Sequence, residues 1–301
     1  TAWIGMGATK TWAYADGVYS AAEATKVSDI VDLANVNHFG MPKLYEKKNT
    51  VELVTANKGT FCQAGGVIYV NPHLGNSIND IACLYGLDYA STDSGVISIR
   101  KNSAGNVIFK NIGFLMDSLM IQDTKTTDCS YWFFNCKWHR GSQDAFGISG
   151  QYKVYLIDCV SDYASKDNFN YHSTTKDSVA VEINCVAYGA GKYKLDTTGA
   201  NTDQSSCNGS TAHNGITVMR FWCKYWECEG SIVADVHNCK TLNVECSAKN
   251  VLSSISNPQY NAPYMIHDNR NALPGQSYRT DVHSNYLIGC TGVGATYKYD
   301  V

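Results

Sequence analysis

A short apolar motif that ends in cysteine recurs six times from residue 131 onward, and it constrains the fold more than any other feature of the chain. The six copies end at Cys136, Cys159, Cys185, Cys223, Cys246 and Cys290, with spacings of 23, 26, 38, 23 and 44 residues. Strand-like segments repeated at intervals of roughly 20 to 50 residues are typical of a solenoid. The motif therefore predicts an all-β protein, a right-handed, single-stranded parallel β-helix with one turn in about 23 residues.

Alternation within the motif predicts which side chains face the core. The residues two and four positions before each cysteine are large and apolar, as in Phe134 and Trp132, so we expect them to point inward with the cysteine. The residue three positions before the cysteine varies from Phe133 to Glu182 and Arg220, so this column is expected to face outward. The cysteines are expected to form a stacked column of reduced, buried thiols, because nothing in the sequence aims them as disulfide partners.

Three other segments fit the repeat less regularly. Asn111, with Phe109 and Val107 behind it, predicts an earlier repeat that carries asparagine in the cysteine column. The polar stretch 192–212 is interpreted as a loop between repeats. The 44-residue step hides either a degenerate repeat or a second excursion.

The N-terminal segment carries the sequence signature of a short helix. Ser20 and Glu23 form a capping box ahead of apolar residues at helical spacing: Ala24, Val27, Ile30, Val31 and Ala34. Such a helix would cover the open end of the β-helix. We therefore predict a capping segment over residues 1–50 and the β-helix over 51–301, with early strands such as Gly66–Val70 and Val96–Arg100.

Composition narrows the choice of ligand. The formal net charge of -3 leaves no basic surface that would neutralise the phosphates of a nucleic acid. No apolar run reaches the ~18 residues of a membrane span. Aromatic residues make up 12% of the chain, and their ring faces stack well on sugars. We expect a polysaccharide partner, and neither a cofactor nor a metal, since Cys223 and Cys228 lack a matching pair of ligands.

Two similar turns supply a pair of carboxylates. Asp144 and Asp167 each lie eight residues after a motif cysteine, so stacked repeats would place them ~4.8 Å apart. Two carboxyl groups at about 5 Å suit a retaining glycosidase, because their mutual repulsion makes one of them a general acid. The alternative is that each aspartate only closes its turn by accepting backbone N–H groups.

A second group of candidates surrounds these aspartates. Glu182 and Arg220 share the predicted outward column, where Glu182 would serve as an acid or base and Arg220 would bind an anionic sugar. A plain surface ion pair is the alternative. His172 and His213 flank the same acidic face as further catalytic candidates. The proposed substrate-binding residues, besides Arg220, are Lys166, Tyr171, Trp222 and Trp226.

Three segments resemble those of the pectate-lyase-like right-handed β-helix superfamily, most of all phage tailspike polysaccharide depolymerases: Lys166–His172, Ser210–Gly215 and Val233–Asn238. The likeness covers roughly residues 105 to 250, although the calcium and arginine pattern of secreted pectate lyases is not evident. It implies a homotrimer on a virion tail or outside the cell. It also implies cleavage of a bacterial capsule or O-antigen-like glycan, by hydrolysis or β-elimination, in a groove on the β-helix. A non-catalytic β-helix that binds glycans or builds a fibre is the alternative.

Overall fold

The structure is a computed structural model that describes most of the chain. It covers residues 2–5, 7–8, 10–73, 78, 81–85, 96–99, 105–115, 118–123, 129–141, 143–173, 177–192, 207–237, 239–252, 262–267 and 284–293. Strands dominate these residues and a single short helix accompanies them, so the prediction of an all-β protein is confirmed. In these ranges no helix has the length and apolar character that crossing a membrane requires.

The chain divides into two compact units, Gly5–Asp88 and Tyr89–Val301, and the second unit also includes Thr1–Ile4. The sequence instead predicts a boundary after residue 50. The difference has a simple cause, because the strand Ile81–Tyr85 pairs antiparallel with Val27–Val36. Residues on both sides of position 50 therefore belong to one unit.

The N-terminal unit contains two small sheets and a helix. One sheet has, in spatial order, the strands Gly7–Ala8, Ile81–Tyr85, Val27–Val36 and Pro42–Leu44. The other has Ala13–Ala15, Val18–Ala22, Val67–Asn71, Thr60–Ala64 and Glu46–Lys47. The helix spans Val51–Ala56, and the Thr50 side chain caps it by accepting a hydrogen bond from the Leu53 N–H.

The predicted capping helix at residues 20–34 is wrong, because this segment forms strands. Its apolar spacing reflects a β-bulge instead: Asp29 pairs with Leu84 and Val27 pairs with Tyr85, so Ser28 is the extra residue. The bulge restores Val27 and Ile30 to the same buried side, although they are three positions apart. A bulged strand can therefore imitate the periodicity of a helix.

The second unit consists of three parallel sheets, named here I, II and III. Sheet I contains Val96–Ile99, Ser118–Asp123, Phe146–Gly150, Phe169–His172, Ser210–His213, Val233–Val236 and Tyr264–His267. Sheet II contains Gly105–Lys110, Cys129–Phe134, Lys153–Ile157, Val179–Ile183, Thr217–Phe221, Lys240–Val244 and Asn285–Ile288. Sheet III contains Ala2–Gly5, Ile112–Leu115, Lys137–His139, Val160–Asp162, Val186–Tyr188, Lys224–Trp226, Ser247–Lys249 and Thr291–Val293.

From Val96 onward the chain visits sheets I, II and III in turn, and each strand pairs in parallel with its counterpart in the next repeat. The cysteine motifs stack in register, as the sequence predicts: Leu156 pairs with Glu182, and Glu182 with Arg220. Among its described residues the 44-residue step holds one strand in each sheet, and residues 253–261 and 268–283 lie outside the described residues. Of the predicted loop 192–212, the last three residues form part of a strand, and 193–206 lie outside the described residues.

The predicted direction of the side chains in sheet II is reversed. The column three positions before the cysteine is fully buried in the first five repeats, although its last member, Leu287, is 37% exposed. Trp132 and Phe134, on either side of this column, are half-buried. The cause is the residue just before each cysteine, which adopts a positive φ between 48 and 62° at Asn135, Asp158, Asn184, Trp222, Glu245 and Gly289. The chain bends at this left-handed corner, so the alternation of the strand does not continue to the cysteine.

The cysteines nevertheless form the predicted column of free, buried thiols, of which the last, Cys290, is half-buried. Four of these thiols donate to a backbone carbonyl of the repeat before. Cys159 Sγ, for example, donates to the carbonyl of Phe133 at 3.4 Å, and Cys185, Cys246 and Cys290 make the equivalent bond. Asn111 does not belong to this column. The side-chain amide of Asn135 donates to its Oδ1 at 2.8 Å, which places Asn111 among the corner residues, one position earlier than predicted.

Candidate functional site

Glu182 and Arg220 lie inside the second unit and not on its surface, so the prediction that they face outward is wrong. Glu182 Oε1 accepts hydrogen bonds from the hydroxyls of Tyr171 at 3.0 Å and Ser210 at 2.6 Å. Its Oε2 accepts one from the Tyr225 hydroxyl at 2.7 Å. Glu182, Arg220 and Tyr171 are all 0% exposed, so none of these three candidates is at the surface to meet a polysaccharide.

Arg220 is held by the same buried network. Its two terminal nitrogens donate to the carboxylate of Asp235 at 2.9 and 3.1 Å, while Nε donates to Ser210 at 2.9 Å. The predicted contact with Glu182 exists at 3.6 Å. Burial works to lower the pKa of Arg220, but the carboxylates of Asp235 and Glu182 outweigh it and raise that pKa well above its ordinary value. A buried ion network of this kind is tolerated only because its members are paired.

The outer face of sheet I brings two of the predicted histidines together. Phe169 and Tyr171 pack in the core, so the intervening Asn170 and the following His172 point outward. His172 pairs in register with His213, and their rings stack with centroids 4.3 Å apart and an interplanar angle of 6°. The ring of His237 lies 5.6 Å from that of His213. All three imidazoles are half-buried and form one group on this face.

The two aspartates lie in stacked turns that lead into the same sheet. The N–H of Ala145 donates to the carbonyl of Asp167 at 2.9 Å, so the turns are in register as predicted. Asp144 Oδ2 accepts from the side chain of Asn170 at 2.8 Å, which ties this carboxylate to the outer face. Asp144 Oδ1 also accepts from the N–H of Asp167 at 3.3 Å.

The carboxylate of Asp167 is bonded in the same way to the next repeat. Its Oδ1 accepts from the backbone N–H of Asn208 at 2.8 Å and from the Asn208 side chain at 2.9 Å. Both aspartates are therefore largely buried, at 8% and 2% exposure, and each bonds a backbone amide one repeat onward. This agrees with the structural alternative for these residues, except that each side chain bridges two turns and does not close its own.

Burial, with a smaller effect of neighbouring charges, shifts the pKa values of this site. Burial and the nearby charge of Asp144 raise the pKa of Asp167 well above its ordinary value. Burial lowers the pKa of His172, against the opposing effect of Asp144. Burial, helped by His172 and His237, lowers the pKa of His213 well below its ordinary value. Asp167 is thus favoured as a proton donor, and the two imidazoles as neutral proton acceptors.

The remaining substrate-binding candidates are divided. Lys166 is half-buried, and its positive charge helps to lower the pKa of His172. Lys166 therefore belongs to the site. Trp222 lies at the corner after sheet II, 52% exposed, and donates to Glu245 at 3.0 Å. Trp226 lies in sheet III, where its ring stacks on Tyr188 at 4.9 Å. The structure therefore does not assign the tryptophans to the face that carries the histidines.

Sequence reasoning missed Asn208 and His237 as members of the site. Asn208 is the counterpart of Asp167 in the next repeat, since Phe169 pairs with Ser210. The residues inserted before it hide this equivalence, because they break the regular spacing. His237 follows the strand Val233–Val236 at a left-handed corner with a φ of 59°. A histidine stands at or just after the end of three successive sheet I strands, as His172, His213 and His237. This recurrence is the sequence signal that would have identified His237.

One group of residues has the spacing of metal ligands, but its chemistry favours a hydrogen-bonded core. The ligand atoms of Glu182, Cys185 and Cys223 lie within 4.8 Å of one another. Both oxygens of Glu182 are already engaged by hydroxyl donors. Burial raises the pKa of the Cys185 and Cys223 thiols well above the ordinary value, which disfavours the thiolate that a metal needs.

Comparison of this chain with protein-family models, with curated proteins and with solved structures finds no match. The fold defines it as an all-β protein with three stacked parallel sheets.

Proposed function

We propose that the three sheets wind as a right-handed, single-stranded parallel β-helix. The cyclic order of the sheets supports this winding, since the chain passes through I, II and III before it returns to I one repeat further on. Connections between parallel strands of one sheet are right-handed in nearly all proteins. An experimental structure in which successive repeats wind in the opposite sense would refute it.

The outer face of this β-helix at sheet I is proposed as the active site of a polysaccharide depolymerase. The observation that carries the proposal is the convergence of Asp144, Asp167 and the stacked pair His172 and His213 on adjacent repeats. Cleavage of a glycosidic bond requires a proton donor for the departing oxygen, together with a nucleophile for hydrolysis or a base for elimination. A face built from repeated strands also suits an extended polymer.

The same residues fit either of two reactions. In hydrolysis, Asp167 protonates the glycosidic oxygen as its C–O bond breaks, and Asp144 forms the glycosyl intermediate that water then cleaves, with Asp167 as the base. In β-elimination, neutral His172 removes the proton next to a uronic acid carboxylate, and Asp167 protonates the departing oxygen. The elimination product contains a new C=C bond, and Lys166 would neutralise the substrate carboxylate.

The test is incubation with a panel of bacterial capsule and O-antigen polysaccharides, followed by assay of reducing ends and polymer size. Asp167→Asn keeps an oxygen that can accept from Asn208 but cannot donate a proton as an acid, so we expect activity to fall at least about a hundredfold. His172→Gln separates the reactions, since it should abolish elimination and weaken hydrolysis less. New ultraviolet absorbance from unsaturated sugars identifies elimination.

Asp158→Asn is the matched control, because Asp158 is an exposed corner residue after sheet II and outside the proposed site. It should retain full activity. Full activity in Asp167→Asn, with unchanged thermal unfolding, would contradict the assignment of Asp167.

The second candidate function is a non-catalytic β-helix that binds glycans or builds a fibre. The burial of both aspartates and their bonds to backbone amides favour it, since these carboxylates already have a structural role. A binder retards a polysaccharide without shortening it. The homotrimer and the location on a virion tail or outside the cell remain predictions of the family resemblance.

A further inference from the structure

A recessed column of small side chains runs along the outer face of sheet I, between the aspartate turns and the histidines. Core residues occupy alternate positions of these strands, as Phe169 and Tyr171 do, so the residue between them points outward. Four such outward residues pair in register from one repeat to the next, and all are buried: Gly147, Asn170, Thr211 and Ala234. This column, called here the floor, is about 14 Å long, because neighbouring strands are about 4.8 Å apart.

One polar atom of the floor lacks a hydrogen-bond donor. Asn170 is 6% exposed, and its side-chain nitrogen donates to Asp144 Oδ2 at 2.8 Å. Its carbonyl oxygen, Oδ1, is buried and has no hydrogen-bond partner among the residues that the structure describes. The bond to Asp144 fixes this orientation, because a flipped amide would turn Oδ1 toward the carboxylate. Asn170 therefore offers a buried acceptor that the described residues do not use.

The neighbours of Asn170 on the floor leave this acceptor open to a group from outside the chain. Gly147, its partner in the repeat before, has no side chain. Thr211, its partner in the repeat after, has its hydroxyl near Asp167, where it works against the raised pKa of that carboxyl group. A buried acceptor without a donor is unfavourable, and native proteins satisfy nearly all such atoms. A hydrogen-bond donor that enters beside Gly147 would satisfy Oδ1.

The hydrogen bond between Asn170 and Asp144 puts this acceptor beside the proposed nucleophile. In the hydrolytic reaction, Asp144 attacks the anomeric carbon of a sugar, and the neighbouring carbon carries the 2-hydroxyl group. A hydroxyl group can donate a hydrogen bond, which a carboxylate cannot. The 2-hydroxyl is thus the donor closest to the attacked carbon, and it has the chemistry that Asn170 Oδ1 needs.

We propose that Asn170 Oδ1 binds the 2-hydroxyl group of the sugar unit that Asp144 attacks. The inference rests on the proposed function in its hydrolytic form, since only hydrolysis uses Asp144 as a nucleophile. A 2-hydroxyl blocked by an O-linked substituent cannot donate, so sugars modified in this way should be rejected. Bonds to the 2-hydroxyl strengthen as the transition state forms, so Asn170 contributes to the rate as well as to binding.

Affinity separates a bond to the sugar from a role of Asn170 that is limited to orienting Asp144. The protein for this measurement is the Asp167→Asn variant, in which we expect little cleavage, and the probe is the panel polysaccharide that the wild-type protein cleaves. In calorimetric titrations, the added change Asn170→Ala should weaken binding about tenfold, because a buried hydrogen bond is lost. In the otherwise wild-type protein, Asn170→Ala should lower kcat/KM further, by at least about a hundredfold.

Two further variants complete the test. Gly147→Ala adds a methyl group beside Asn170 without removing the bond to Asp144, so it should also weaken binding. Gly147 lies within a strand and has no positive φ, so alanine fits its backbone. Asn106→Ala is the matched control, because Asn106 is exposed on sheet II, and it should leave both affinity and kcat/KM unchanged.

The outcomes distinguish this inference from the proposed function. An affinity that Asn170→Ala does not change would overturn the inference and leave the proposed function standing, since Asn170 would then only orient Asp144. New ultraviolet absorbance from elimination would have the same consequence, because Asp144 would then attack no carbon. A wild-type protein that shortens no polysaccharide of the panel would refute the proposed function and, with it, this inference.

Discussion

Burial determines the protonation of the residues on the outer face of sheet I. Asp167 is 2% exposed and lies beside a second carboxyl group, so its proton is held to a higher pH than that of an ordinary aspartate. Burial lowers the pKa of His172, so its imidazole loses its proton at a lower pH than that of an ordinary histidine. Two groups with pKa values moved in opposite directions are characteristic of acid–base sites.

These shifts predict the pH dependence of cleavage. Elimination needs neutral His172 and protonated Asp167. The acid limb of the profile, set by His172, should therefore lie below the ordinary histidine pKa of ~6.5. The alkaline limb, set by Asp167, should lie above the ordinary aspartate pKa of ~3.9. A pH–rate profile of the wild-type enzyme checks this expectation, and the falling limb should disappear with Asp167→Asn if residual activity is measurable. Limbs at the ordinary values would contradict the role of burial.

The same shift of Asp167 affects stability with a definite sign. Because its pKa is raised in the folded state, the folded protein binds more protons than the unfolded one between the two pKa values. Its contribution is complete below the unfolded pKa and is lost as the pH rises through the folded value. Asp167→Asn removes this dependence, so an unchanged slope of stability against pH would argue against the shift.

At the scale of the strand, the repeat motif predicts which strands pair but not which way their side chains point. The pairing of the cysteine-ended strands follows from their spacing, and the structure confirms it. The direction of their side chains does not follow, because sheet II strands are apolar on both faces. The signal that sets the direction is the corner residue, which is Asn, Asp or Gly in most repeats: residue types that tolerate a positive φ.

We therefore expect the corner positions to disfavour β-branched residues. Asn135 has a φ of 48°, where valine would be strained. Asn135→Val should lower the free energy of unfolding by about 1–2 kcal/mol beyond the effect of Asn135→Gly. The glycine variant is the control, since it also loses the side-chain bond to Asn111 but fits the backbone. Chemical denaturation measures the difference, and equal stability of the two variants would refute the corner explanation.

At the scale of the whole molecule, the sequence predicts the all-β class and the pairing of the repeats better than the position of the site. The aspartates and histidines do lie on neighbouring repeats, as their spacing predicts. The sequence predicts Glu182 and Arg220 on the surface, but the structure buries them. The sequence does not distinguish these cases, because a buried ion network and a charged surface use the same charged residue types. Its partners Ser210 and Asp235 come from other strands and become visible only after folding.

The most direct test is an experimental structure of the Asp167→Asn variant with an oligosaccharide from a cleaved or bound polysaccharide. We expect the sugar to lie on the outer face of sheet I, within hydrogen-bonding distance of His172 and His213. A sugar bound instead at Trp226 on sheet III or at Trp222 after sheet II, with the histidine pair uncontacted, would contradict it.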